Sequence, residues 1–313
     1  MQAAAGAVAA RIALRHLDAA KKAGRRLKYA TGAEALHDFR VALRRLRSIL
    51  RAYRPWLKAG PKKLRRCLRD TARATGAGRD AEVCLAWLAR QKGCTVSRRN
   101  GRDELQAQLE RVRDEAYARL RTGVLADFTK AAPRLRRILE DIRRGKRGAS
   151  EKENYAEVTA GRLREYAANL AADLARIHGA ADITTLHDAR IQAKRLRYLL
   201  EPLGAEIPGA RAAVKSLKTF QDETGNLCDG FVCRRLLAQA AGARGAGPAP
   251  PGDAALGAPA GVAPGLIALA RRVESDIGKR FEAVRRCYLD KPTPRFLRLT
   301  GAIAHRLEVI GGR

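Results

Sequence analysis

A chain of 313 residues with a formal charge of +31, from 63 Lys and Arg against 32 Asp and Glu, repels itself unless anions neutralise it. Its length accommodates two ordinary domains, and no window of about 18 uncharged apolar residues occurs, which excludes a transmembrane helix. The charge points to a polyanionic partner: nucleic acid, an anionic membrane surface, an acidic protein or a polymer of phosphate.

The first ten residues are Ala-rich and lack a basic leading region, so they are expected to start a helix and not to form a signal peptide. Ala, Leu, Arg and Glu then recur at helical spacing while alternating β patterns are nearly absent, and the expected fold class is all-α. Periodicity predicts helices over residues 8–29, 35–53, 61–74, 80–91, 103–122 and 133–143. Gly and basic residues at 144–150 mark a linker. Helices follow over 158–178, 185–203, 209–223, 229–240, 265–288 and 294–309, a repetition of the first scheme. Residues 241–264, almost entirely Ala, Gly and Pro, are expected to be a mobile loop without a functional role. The chain thus divides into a first helical repeat over 1–148 and a second over 149–313. Cys67, Cys84, Cys94, Cys228, Cys233 and Cys287 follow no ligand spacing, and are expected to be small buried hydrophobes in a reducing cytoplasm.

The repetition is explicit in two words. LHDFRVALRRLRSILR at residues 36–51 is echoed 150 residues later by LHDARIQAKRLRYLLE at 186–201. TGAGRDAEVC at 75–84 is echoed by TGNLCDGFVC at 224–233. On a helix each residue advances about 100°, so His37, Arg40, Arg44, Arg47 and Arg51 fall inside an arc of about 80°, with Leu36, Phe39, Leu43, Leu46 and Leu50 on the other side. His187, Arg190, Lys194 and Arg197 repeat this stripe, which ends in Glu201 beside Tyr198. Lys62, Arg66, Arg69 and Arg73 share one face of the following helix, and Arg211, Lys215 and Lys218 share the matching face until Asp222 ends the row.

A solvated helix face normally mixes signs, because opposite charges at i,i+4 support it and like charges oppose it. The Arg40 to Arg51 face contains no acid. Such a row is favourable when an anion lies along it, and the arginine fork suits phosphate oxygens. His37 and His187 head the stripes beside Asp38 and Asp188. They serve either as local first-turn residues or as further phosphate donors. A metal or catalytic pair fits less well, since the surrounding arginines oppose a divalent ion. In the second word, Gly76 and Gly225 suit a helix C′ position with positive φ, and Asp80 and Asp229 suit the start of the next helix or the orientation of a nearby Arg. That reading makes the word a sharp turn. His16, His178 and His305 have no repeated context, and Trp56 and Trp87 read as core anchors.

These words resemble those of the CHAD family, the conserved histidine α-helical domain: LHDxRxxxRRLR at 36–47, LHDxRxxxKRLRYLLE at 186–201 and the TGxxxD pair at 75 and 224. The resemblance runs from about residue 8 to 306, interrupted by 241–264. It implies two four-helix-bundle-like halves related by a pseudo-twofold axis, with a basic groove or pore between them that binds inorganic polyphosphate. The family's basic and histidine positions carry over to His37, Arg40, Arg44, Arg45, Arg47, His187, Arg190, Lys194, Arg195 and Arg197. The α-helical stripe adds Arg51, and repetition within the chain adds Lys62, Arg66, Arg69, Lys215 and Lys218. Some members carry a triphosphate-tunnel enzyme domain, for which this chain has neither room nor β pattern. It is therefore expected to be a non-enzymatic, stand-alone binding module without cofactor or metal, cytoplasmic and associated with polyphosphate granules. Two alternatives stay open: weak, sequence-blind nucleic-acid binding, which aromatics at 5% of the chain support poorly, and a metal-dependent phosphohydrolase using the His-Asp pairs.

Overall fold

The computed structural model describes residues 1–29, 33–57, 62–91, 96–146, 153–245, 264–291 and 293–312. Among them the chain is all-α, as its periodicity requires, and holds no strand beyond a lone bridge between Ala4 and Asn154. The helices are α1 (Ala5–Tyr29), α2 (Ala33–Ala52), a single turn α3 (Arg54–Leu57), α4 (Lys62–Ala74), α5 (Gly76–Ala89), α6 (Val96–Arg119) and α7 (Leu125–Arg143). They continue with α8 (Tyr155–Ala175), α9 (Ile183–Leu200), α10 (Ala210–Gly245), α11 (Pro264–Val284) and α12 (Arg295–Gly311).

Burial follows the apolar stripes. Leu36, Phe39, Leu43 and Leu46 of α2 are buried, as are Leu17 and Leu27 of α1, on which α2 packs, and Phe39 meets Phe128 of α7 edge-on with ring centroids 5.3 Å apart. Corresponding helices take corresponding neighbours: α1 packs on α2 and α7 as α8 packs on α9 and α12, and α5 packs on α6 as α10 packs on α11. Residues of both sets share one core. They join chiefly through α5 against α10 and α6 against α11. At the far end Ala5 N donates to Glu153 O at 3.0 Å and Tyr155 N donates to Ala3 O at 2.9 Å, tying together the starts of α1 and α8. Among the described residues no helix is long and apolar enough to cross a membrane.

The structure corrects several sequence expectations. The gap between the fifth and sixth predicted helices is helical, since a π turn (Leu120–Val124) joins α6 to α7. Pro133 lies inside α7 and not at its start; it is exposed, so the carbonyl that its missing N–H leaves unpaired faces water. The loop expected from residue 241 begins later, because α10 continues to Gly245, and residues 246–263 lie outside the described part. The sharp TGxxxD turn is absent from both copies. Only Thr75, at φ −82° and ψ 0°, interrupts α4 and α5, and α10 passes through Thr224 and Gly225 without a break. Positive φ occurs among the described glycines at Gly145, in the linker after α7, and at Gly209, just before α10.

Cys84 and Cys233, the matched cysteines of the second word, are buried where α5 meets α10, and the nearness of Cys84, together with burial, holds the Cys233 thiol well above its ordinary value. Cys67 and Cys228 are half-buried, Cys287 is exposed contrary to expectation, and Cys94 lies outside the described residues. Trp87 is a core anchor whose Nε1 donates to Asp276 at 3.1 Å. Trp56 is half-exposed, hydrogen-bonded to Glu153 and capped by Arg162.

Candidate functional site

The leucine faces of α2 and α9 hold these helices to their own neighbours, so their basic faces turn toward each other across a cleft of about 990 Å³. α2 supplies His37, Arg40, Arg44, Arg47 and Arg51, and α9 supplies His187, Arg190, Lys194 and Arg195. α5 and α10 form the remaining walls. They add Arg79, from within the second word, and Arg234 and Arg235, just beyond its second copy, together with Asp80, Cys228 and Asp229. From Arg40 to Arg51 the α2 ladder is about 16 Å long at a rise of about 1.5 Å per residue.

The second repeated word proves to be a dock for this ladder. Arg40 donates through Nη1 to the Thr75 carbonyl and, at 2.9 Å, to Thr75 Oγ1. Thr75 Oγ1 in turn donates to Ala72 O at 2.7 Å. In the second copy Arg190 Nε donates to Gln221 O at 3.4 Å, and its guanidinium lies over Gly225, where a Cβ would stand 2.6 Å from Nη2. Gly225 therefore leaves room for another helix's side chain to cross it and has no unusual backbone angle to supply. Nothing comparable approaches Gly76. Gly225→Ala is expected to push Arg190 out of its dock and weaken phosphate-polymer binding severalfold, while the melting temperature holds or rises because Ala favours the helix interior by about 0.5–1 kcal/mol. Gly76→Ala should leave binding unchanged; parallel binding and melting curves check both.

The electrostatics are those of cations that outnumber their counter-ions. Lys194 is pushed down to about 6, first by burial and then by Arg190 and Arg44. Arg40 is lowered to about 10 by burial, Arg44 and Arg79. Burial and then Arg51 lower both Arg47, on the same helix, and Arg195, across the cleft. His187 is likewise lowered, by burial first and then by Lys194 and Arg190. Asp80 pairs with Arg235 at 2.7 Å, so that this aspartate does orient an arginine. Burial raises Asp229 although Arg190, Arg79 and Lys194 pull it down.

Arg45 and Arg197 do not line the cleft. Glu201 takes both, accepting from Arg45 Nη2 at 3.0 Å and lying 3.3 Å from Arg197 Nε, while both guanidinia sit over the Tyr198 ring. Arg197 matches Arg47, which remains in the cleft. The difference is one turn further on, where α2 has Arg51 and the residue that caps α9 is Glu201. Arg66, Arg69, Lys215 and Lys218 are exposed and outside the cleft, and the Lys62 side chain lies outside the described part. Asp38, beside His37, is engaged by Arg26 at 2.7 Å. Among the described residues no group of three or more His, Cys, Asp or Glu could hold a metal ion.

Fold and site together define an all-helical protein with a cationic cleft between two sets of helices. The model of the CHAD domain matches residues 9–238, and the chain belongs to the CHAD domain family. The crystal structure of the CHAD domain from the plant Ricinus communis is similar, with a TM-score of 0.67 and 22% identity, covering 97% of this chain and 93% of that one. PptA from Streptomyces chartreusis is also similar, with a TM-score of 0.61 and 16% identity, covering 97% of this chain and 99% of that one. No curated protein matches the chain in sequence.

Proposed function

We propose that the cleft binds inorganic polyphosphate without transforming it. The observation that carries this reading is geometric: the cations of α2 and α9 line one cleft from opposite sides, where burial and neighbouring cations depress Arg40, Arg47, Lys194 and Arg195. Placing cations together in partial burial is costly unless an anion enters, and a linear polyanion can satisfy both ladders at once. Arg40 and Arg190 are held by backbone carbonyls before any ligand arrives, so less side-chain freedom is lost on binding. The protein acts as a binding module at polyphosphate granules in the cytoplasm.

Nucleic acid is the competing polyanion. Among the described residues lining the cleft Phe231 is the one Phe, Tyr or Trp, and it is buried under Arg234, which leaves bases only the His37 and His187 rings and the arginine planes to stack on. Long-chain polyphosphate should therefore outcompete single-stranded DNA or RNA at equal phosphate concentration. Displacement of polyphosphate by either nucleic acid under those conditions would overturn the preference. Orthophosphate release with Mg²⁺ or Mn²⁺, abolished by His37→Ala, would instead establish a hydrolase.

A further inference from the structure

The charge is unevenly divided: residues 1–148 hold 38 of the 63 Lys and Arg but 14 of the 32 Asp and Glu. α4 shows the imbalance most clearly. It reads KKLRRCLRDTAR over residues 62–73, whereas the matching stretch of α10 reads RAAVKSLKTFQD over 211–222. Arg66, Arg69 and Arg73 fall within an arc of about 60° on α4, and all three are exposed. Among the described residues Arg66 and Arg73 make no ion pair, and Arg69 touches only its neighbour Asp70, at 3.1 Å. On α10 the position of Arg73 is taken by Asp222, one turn after Lys218, which cancels charge within the row.

This outer row adjoins the cleft. α4 packs beside α2, and Arg69 is one of the cations that act on Arg47 in the cleft wall. Among the described residues no helix covers this face, and its three arginines have only Asp70 to offset them, so an anion lying along the row would stabilise it further. We propose that a phosphate polymer held in the cleft continues over the Arg66, Arg69 and Arg73 row of α4, making that face a second subsite, dependent on chain length, with no equal on α10. The proposal rests on the reading of the cleft as a polyphosphate site.

Two probes separate the subsites: tripolyphosphate, short enough to be held by the cleft, and long-chain polyphosphate, which reaches beyond it. The exposed triple variant Arg66→Gln, Arg69→Gln, Arg73→Gln should weaken long-chain binding at least about tenfold and reduce the slope of log K against log salt by about two. Its affinity for tripolyphosphate should stay within about twofold. Lys215→Gln with Lys218→Gln should change long-chain affinity less than about threefold. The proposal is overturned if the triple variant weakens both probes equally or neither, or if the α10 pair costs as much as the α4 triple. Failure of the underlying reading looks different: tripolyphosphate would then bind equally well to wild type and to a variant with Arg44 and Lys194 both changed to Glu.

Discussion

Replacing Arg44 and Lys194 together by Glu should lower affinity for long-chain polyphosphate on the order of a hundredfold or more. Each residue sits midway along its ladder, and Arg44 acts on Lys194 across the cleft. Charged hydrogen bonds contribute about 1.5–3 kcal/mol each, and reversal replaces two of them with repulsion. The free protein should not lose stability, because the substitution relieves the crowding of cations that depresses Lys194. Melting curves together with binding isotherms make the result decisive. Undiminished affinity in a folded double variant would remove the ladders from binding.

Binding should also tighten on acidification, with Lys194 responsible for most of the slope. In the free protein its amine titrates at about 6, far below an ordinary lysine. A phosphate oxygen beside it restores the charge, so the complex takes up a proton at any pH between about 6 and the higher value reached in the complex. Affinity then falls by up to about tenfold per pH unit as the pH rises through that window. Unliganded stability has a related dependence. The unfolded lysine, near 10.4, holds its proton where the folded one has lost it, so stability contributed by this group rises from about pH 6 to about pH 10. Calorimetry in buffers of different ionisation enthalpy reads the proton uptake directly. A Lys194→Met variant with the same pH slope as wild type would assign the effect elsewhere.

Much of this site was legible because α2 and α9 obey two simple periodicities at once, with leucines on one side and cations on the other. The duplication made the basic positions stand out even where the neighbouring residues differ, as at Phe39 and Ala189. The glycine word misled for a physical reason. A glycine after a helical run usually supplies positive φ, but Gly225 makes room for a guanidinium from α9, a demand set by tertiary packing and invisible in local sequence. Arg45 and Arg197 were over-read because nothing along the chain shows that Glu201 serves both at once. Arg234 and Arg235 were missed because their counterparts 149 residues earlier are Leu85 and Ala86. Treating α10 as one helix would have found them, since Cys228, Phe231, Val232 and Arg235 follow at helical steps down the same wall.

The unbroken course of α10 also bears on selectivity. At 36 residues it is a rod about 54 Å long, braced against α5, α9, α11 and α12. A wall of that kind cannot bow outward at the cleft without carrying its neighbours along. On the proposed reading such a wall should hold the opening to one gauge and sort polymers by thickness. A bare chain of phosphate should then engage both sides, whereas a polymer with a bulky group on every unit should bring its phosphates to only one.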